Sequence, residues 1–168
     1  LYSASGHLFE QYFHFGAGAV TPLDGGALWQ GRGAAARLLC LGDGLEQAWS
    51  REPFSPEYNR LETGDVLTCR RRTDGFNWFV TVLSMDKGDL RPVTAELLPV
   101  RRVRRGDTLP AALAQAVRIV KDGRETVVLA GHGEVISEVD LLEAGGCEGY
   151  GKLLVFTGGC KRGLCLAW

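Results

Sequence analysis

Cys147, in the run Gly145-Gly146-Cys147-Glu148-Gly149-Tyr150, is the residue whose type and setting point most directly to chemistry. A cysteine attacks only as the thiolate, so it needs a helix N-terminus, a cation or a histidine to lower its pKa. The alternative is a small buried thiol beside a tight turn, since unpaired cysteine is among the most buried residue types. Three histidines compete as its base. His7 lies near the start, and His132 sits in a loop between glycines. His14 is the best placed, because Tyr12-Phe13-His14-Phe15-Gly16 sets an imidazole on an aromatic strand that ends at a glycine-rich bend.

A second constellation is basic. Arg70, Arg71 and Arg72 are followed by Arg101, Arg102, Arg104 and Arg105, which makes seven of the 19 basic residues of the chain. If both clusters reach one end of a sheet they offer phosphate contacts, with Phe76 and Trp78 nearby to stack bases. The formal net charge of −1 argues against a general polyanion binder and favours a solvated rim paired with the 20 acidic residues. RNA is therefore a possible partner through local patches only.

Cys160 and Cys165 form a close pair, but no second pair of Cys or His completes a zinc tetrad, so no metal site is expected. No Gly-x-x-x-x-Gly-Lys-Ser/Thr or Gly-x-Gly-x-x-Gly run opens a helix, and Gly16-Ala17-Gly18-Ala19 lacks the third glycine. No cofactor is expected. Five cysteines, an odd number without a dense framework, suit a reducing, cytoplasmic compartment. No stretch is long and apolar enough for a membrane-spanning helix, and no basic region followed by an apolar run opens the chain.

The elements that must position these residues read as α+β. With 168 residues, 45% apolar and 23% charged, the expectation is a single domain over 1–168 with a core of its own. Glycine, at 23 residues, is roughly twice its usual share and implies many tight turns. Residues 9–16 read as a strand and 34–41 as strand or helix. Residues 66–69 and 76–83 read as a hairpin closed by the Asp74-Gly75 turn, and 93–103 as a third strand weakened by Pro99. Asp107 or Thr108 then caps a helix. Leu109, Leu113, Ala116, Val117 and Val120 share its face, Pro110 sits in its first turn and Gly123 ends it. Residues 126–130 read as a strand. Ser137 and Asp140 give a capping-box pattern for a short helix over 138–144, stopped by Gly145-Gly146. The expected architecture is an antiparallel meander packed against one to three short helices.

The order of these segments resembles a known family. A Gly-Asp-opened strand (Gly64-Asp65-Val66-Leu67), a hairpin strand (Phe76-Asn77-Trp78-Phe79-Val80) and a Glu-Leu-Leu strand (Glu96-Leu97-Leu98) come first. A helix after proline and a late Cys-Glu-x-aromatic motif (Cys147-Glu148-Gly149-Tyr150) follow. Together they resemble the lecithin:retinol acyltransferase family, a permuted papain-like, NlpC/P60-type fold. The same signatures mark the 2A proteins of some picornaviruses, including kobuviruses. The resemblance covers residues 64–156 and leaves 1–63 as an N-terminal extension. In that alignment Asn77 stands where the family has its histidine, and Gly146 and Gly149 replace its Asn and second His. An amide cannot accept the thiol proton as imidazole does. The resemblance thus implies a non-enzymatic, 2A-like viral protein working in the host cytoplasm, through host or viral protein partners, in RNA replication. Two alternatives stand beside it. One is an active thiol acyltransferase or phospholipase-like hydrolase using Cys147 with His14, and the other is an RNA-binding module using the arginine clusters.

Overall fold

The computed structural model describes residues 2–132, 136–137, 139–160 and 162–167. Among these residues there is no helix, and strands carry the architecture. The α+β, papain-like expectation is therefore corrected to an all-β, antiparallel fold. The chain read as one domain divides into two compact units, 1–91 and 92–168. The boundary falls inside the stretch 64–156 that carries the family resemblance.

In the N-terminal unit, β1 (Tyr2–His14), β5 (Glu46–Glu57) and β6 (Arg60–Phe76) form one sheet in the order β1-β6-β5. A second sheet, β2-β3-β4-β7, is built from β2 (Ala19–Leu23), β3 (Gly26–Gly31), β4 (Ala34–Leu41) and β7 (Val80–Lys87). Ala27, Leu38 and Cys40 of the second sheet share one buried cluster with Leu67 and Cys69 of the first, and Phe13, Phe15 and Trp49 pack against it. Burying apolar faces between two sheets in this way is the standard solution for strands that alternate inward and outward residues. The expected hairpin of 66–69 with 76–83 is not made. β6 runs straight through the arginines and the Asp-Gly pair, and Phe76 still pairs with Tyr2 of β1.

In the C-terminal unit, β8 (Val93–Leu98), β11 (Ala114–Lys121), β12 (Arg124–Gly131), β15 (Leu153–Thr157) and β16 (Arg162–Ala167) form a five-stranded sheet, ordered β16-β15-β12-β11-β8. A smaller sheet runs β10-β9-β13-β14, from β9 (Arg101–Arg102), β10 (Asp107–Thr108), β13 (Leu141–Ala144) and β14 (Cys147–Tyr150). Leu129 and Leu142, both at 0% exposure, meet in the shared core. Each such leucine stabilises the fold by about 2 kcal/mol through area removed from water.

The two expected helices fail for a local reason. Lys121-Asp122-Gly123-Arg124 is a two-residue hairpin loop with φ of 53° at Asp122 and 71° at Gly123. That is the left-handed pair that matches the twist of antiparallel strands. Val117, Ile119 and Val120 are β-branched and suit the strand that precedes it. Gly145 and Gly146 likewise take φ of 58° and 83° and join β13 to β14. Neither glycine site ends a helix.

Candidate functional site

Cys147 opens β14 opposite Ala144 and is 1% exposed. Its sulfur is bonded to that of Cys160, 13 residues on, with 5.2 Å between the Cα atoms. Cys160 reaches it from the turn between β15 and β16, where Gly158, Gly159 and Cys160 all hold positive φ. A disulfide sulfur is no thiolate, so this residue has no nucleophile to offer in this state. His14, at the exposed end of β1, and Asn77, 8% exposed, both belong to the N-terminal unit, whereas Cys147 belongs to the C-terminal one. His132 is engaged within the C-terminal unit, its Nε2 lying 2.6 Å from Gln115 Oε1. Cys160, read from spacing as the neighbour of Cys165, instead pairs with Cys147.

The arginine clusters divide in the same way, Arg70, Arg71 and Arg72 in β6 and the other four in the C-terminal unit. Most hold the fold together. Arg70 Nε sits 2.7 Å from Glu10 Oε1 on the paired strand. Arg71 lays its guanidinium 4.4 Å from the centre of the Trp78 ring and donates to the Asp43 carbonyl at 2.7 Å. Burial lowers its pKa. In the other unit Arg102 Nε donates to Asp107 Oδ1 at 3.0 Å. Arg104 donates to the Tyr150 hydroxyl at 3.1 Å, and Arg105 lies 3.8 Å from Asp140. Arg72, Arg101, Arg104 and Arg105 remain exposed. The basic surface is thus split between the two units, and five of the seven arginines already face a carboxylate, a carbonyl or a ring of the chain itself.

One of these pairs gives a pH signature. The Arg102 hydrogen bond holds the Asp107 carboxyl below the usual carboxylate range. A depressed folded pKa contributes stability that is present above the unfolded value and is lost as pH falls through the folded one. The Asp107 carboxyl resonance is therefore expected to titrate below its ordinary value of 3.8. In Arg102→Gln the midpoint should return upward, and an unchanged midpoint would show that the pair does not form in solution.

A concave site lies in the N-terminal unit, a cleft of about 430 Å³ between the end of β1 and the face of the β2-β3-β4-β7 sheet. Strand register explains its lining. Trp29 pairs with Ala36, which pairs with Met85, while Leu38 pairs with Leu83 and Cys40 with Thr81 in the rows alongside. Side chains two apart on a strand share a face, so these rows make one apolar floor. Along the end of β1 and the residue after it, Phe13 and Phe15 turn toward the core while Tyr12 and His14 stay exposed at the rim. Tyr12 is 48% exposed and Leu83 60%.

Trp29 packs closely against the backbone. Its Nε1 donates to the Gly16 carbonyl at 3.4 Å. A Cβ on Gly18 would come within 2.5 Å of that same nitrogen, and one on Gly31 would overlap the far edge of the indole. Glycine at both places lets the ring lie against the backbone. No family model, no curated protein and no solved structure matches this chain. Its function is therefore argued from this geometry. Trp29 was not among the residues singled out from sequence. The signal available was an aromatic residue in a strand, with the Gly16-Ala17-Gly18 run and Gly31 flanking it, glycines that suit an indole bed better than a phosphate cradle.

Proposed function

We propose that this chain is a non-catalytic binding module that takes an apolar segment of a partner protein into the Trp29 cleft. The observation that carries the reading is Trp29 itself, a partly exposed aromatic anchor packed against the backbone at Gly18 and Gly31. Aromatic side chains dominate binding energy in interfaces, and a group already fixed loses little entropy on binding. The surroundings favour protein over polyanion. The floor is aliphatic, His14, Tyr12 and Thr81 supply a few polar groups at the margin, and the arginines largely hold carboxylates, carbonyls and rings of the chain itself. Contiguous exposed apolar surface of this kind marks interaction sites.

This reading keeps the expectation of a protein that works through partners. It does not draw on the lecithin:retinol acyltransferase resemblance, whose papain-like fold sets the cysteine at the start of a helix, and no helix occurs among the described residues. Nor does it invoke a thiol hydrolase, since Cys147 is joined to Cys160. No helix among the described residues is long and apolar enough to cross a membrane.

A displayed library of random linear peptides, selected on the whole chain, tests the proposal. Enriched peptides should share two or more apolar anchors and bind Trp29→Ala about tenfold more weakly, the scale of a hot-spot residue. Leu83→Glu, at an exposed position that the core does not need, should weaken them similarly without changing the thermal midpoint. If no peptide is enriched, or if enriched peptides bind both variants as tightly as the parent, the cleft is not the binding site.

A further inference from the structure

Cys40 and Cys69 stand opposite one another inside the N-terminal unit, one on each sheet. Cys40 lies in β4 beside Thr81 of β7, and Cys69 lies in β6 beside Gln11 of β1 and Gln47 of β5. The two flanking residues, Thr81 and Gln11, are themselves bonded across the gap, Thr81 Oγ1 donating to Gln11 Oε1 at 3.3 Å. The sheets are thus tied together one residue away from both sulfurs. Both cysteines belong to the same buried cluster, at 7% and 0% exposure. The thiols are in hydrogen-bond contact, which raises the pKa of Cys40 and lowers that of Cys69, the acceptor. Cys40 also borders a small surface pocket of about 280 Å³, shared with Gly25, Gly42 and Gln47.

We propose that Cys40 and Cys69 are a covalent modification site, a second disulfide that closes between the two sheets of the N-terminal unit. The pocket at Cys40 gives a small-molecule disulfide, oxidised glutathione for example, a route to the first sulfur. Cys40 passes its proton to the Cys69 sulfur as it attacks, the mixed disulfide forms at Cys40, and one glutathione leaves as the thiolate. That thiolate takes the proton back from Cys69, which then attacks the Cys40 sulfur and releases the second glutathione. Two S–H bonds are lost, one S–S bond forms between the sheets, and the two electrons and two protons leave with the two glutathione thiols. Conditions that keep Cys147 joined to Cys160 are the conditions in which this exchange runs forward. The five cysteines then resolve as two pairs and Cys165, which accounts for the odd number.

The experiment incubates the whole chain with a series of glutathione ratios, quenches with acid, alkylates under denaturing conditions and maps the peptides. The expected product is a peptide pair linking Cys40 to Cys69, absent from Cys40→Ser and Cys69→Ser. Closing a loop of about 30 residues should raise the thermal midpoint on the order of 10 °C relative to the half-reduced chain. Separate alkylation of Cys40 and Cys69 at every ratio that leaves Cys147–Cys160 intact would overturn the proposal. So would a stable mixed disulfide at Cys40 that Cys69 never displaces. Because the readout is a mapped bond, failure here leaves the partner-binding reading of the Trp29 cleft untouched.

Discussion

Replacing Cys147 with alanine is expected to destabilise the C-terminal unit by about 3 kcal/mol, the cost of reopening a loop of this length in the unfolded chain. The bond joins residues 13 apart, and Cys147 is embedded with Leu142, Ala144, Leu154 and Phe156. Serine should cost more than alanine, because its hydroxyl would be left in an apolar core. The two units have separate cores, so a single unfolding midpoint would blend them. Amide exchange in peptides from β12 and β15 reads the C-terminal unit alone, and there exchange through global opening should speed by about a hundredfold. Cys160→Ala should match Cys147→Ala, and reductant should bring the parent chain to the same rates while leaving both variants where they are. An electrophilic thiol probe should leave Cys147 unlabelled until the bond is reduced. Labelling of Cys147 in the unreduced chain, with no effect of reductant on exchange, would return this residue to the role of candidate nucleophile.

What the sequence disclosed and what it concealed differ by the range of the interaction. Strand-forming stretches such as 126–130 were readable because alternation and β-branching act locally, and they lie within β12. The region 107–123 is ambiguous because Leu109, Leu113, Ala116, Val117 and Val120 satisfy helical spacing, while Val117, Ile119 and Val120 satisfy a strand equally well. Asp122-Gly123 is the tie-breaker, a hairpin signal where a helix stop is expected. Ser137 and Asp140 show the same ambiguity in miniature. Asp140 Oδ2 accepts from the Ser137 amide at 3.0 Å and the Asp140 amide donates to the Ser137 carbonyl at 2.9 Å. Half of a capping box, the carboxylate reaching back to the Ser137 amide, is thus met within a turn, where no helix need follow. The site was harder still. That Cys147 meets Cys160 depends on β15 turning back through three left-handed residues, and that Arg70 meets Glu10 depends on β1 pairing with β6 across 60 residues of chain. Pairings of that kind carry no local periodicity, so the residues advertise their chemistry without advertising their partners.

Gly26→Ala is expected to cost about 3 kcal/mol or more, the upper range of overpacking, and to empty the Trp29 cleft of its binding capacity together with the fold that builds it. Gly26 begins β3 opposite Leu39 of β4, and its backbone needs no left-handed conformation, so conformational freedom is not what requires glycine here. Space is the requirement. An added Cβ would overlap the Leu38 carbonyl oxygen and stand 2.9 Å from the Leu38 carbonyl carbon and 3.2 Å from the Leu39 Cα. These are backbone atoms of a strand that is hydrogen-bonded to β3 on one side and β7 on the other, so they cannot yield as a flexible side chain would. Relief requires β3 and β4 to move apart at the row where Ala27 and Leu38 close the core, and where Leu38 and Leu83 form the cleft floor. Gly33→Ala provides the matched control, since that glycine, at φ 76° in the adjoining turn, has open space around its missing Cβ. Its cost should be the smaller one of a strained turn residue, about 1 kcal/mol. Tryptophan fluorescence during denaturation follows both, because three of the four tryptophans, Trp29, Trp49 and Trp78, lie in the N-terminal unit and only Trp168 in the other. Equal midpoints for the two variants would mean that β3 and β4 do not approach as closely as drawn, and that the indole plate beside them is not fixed by this packing.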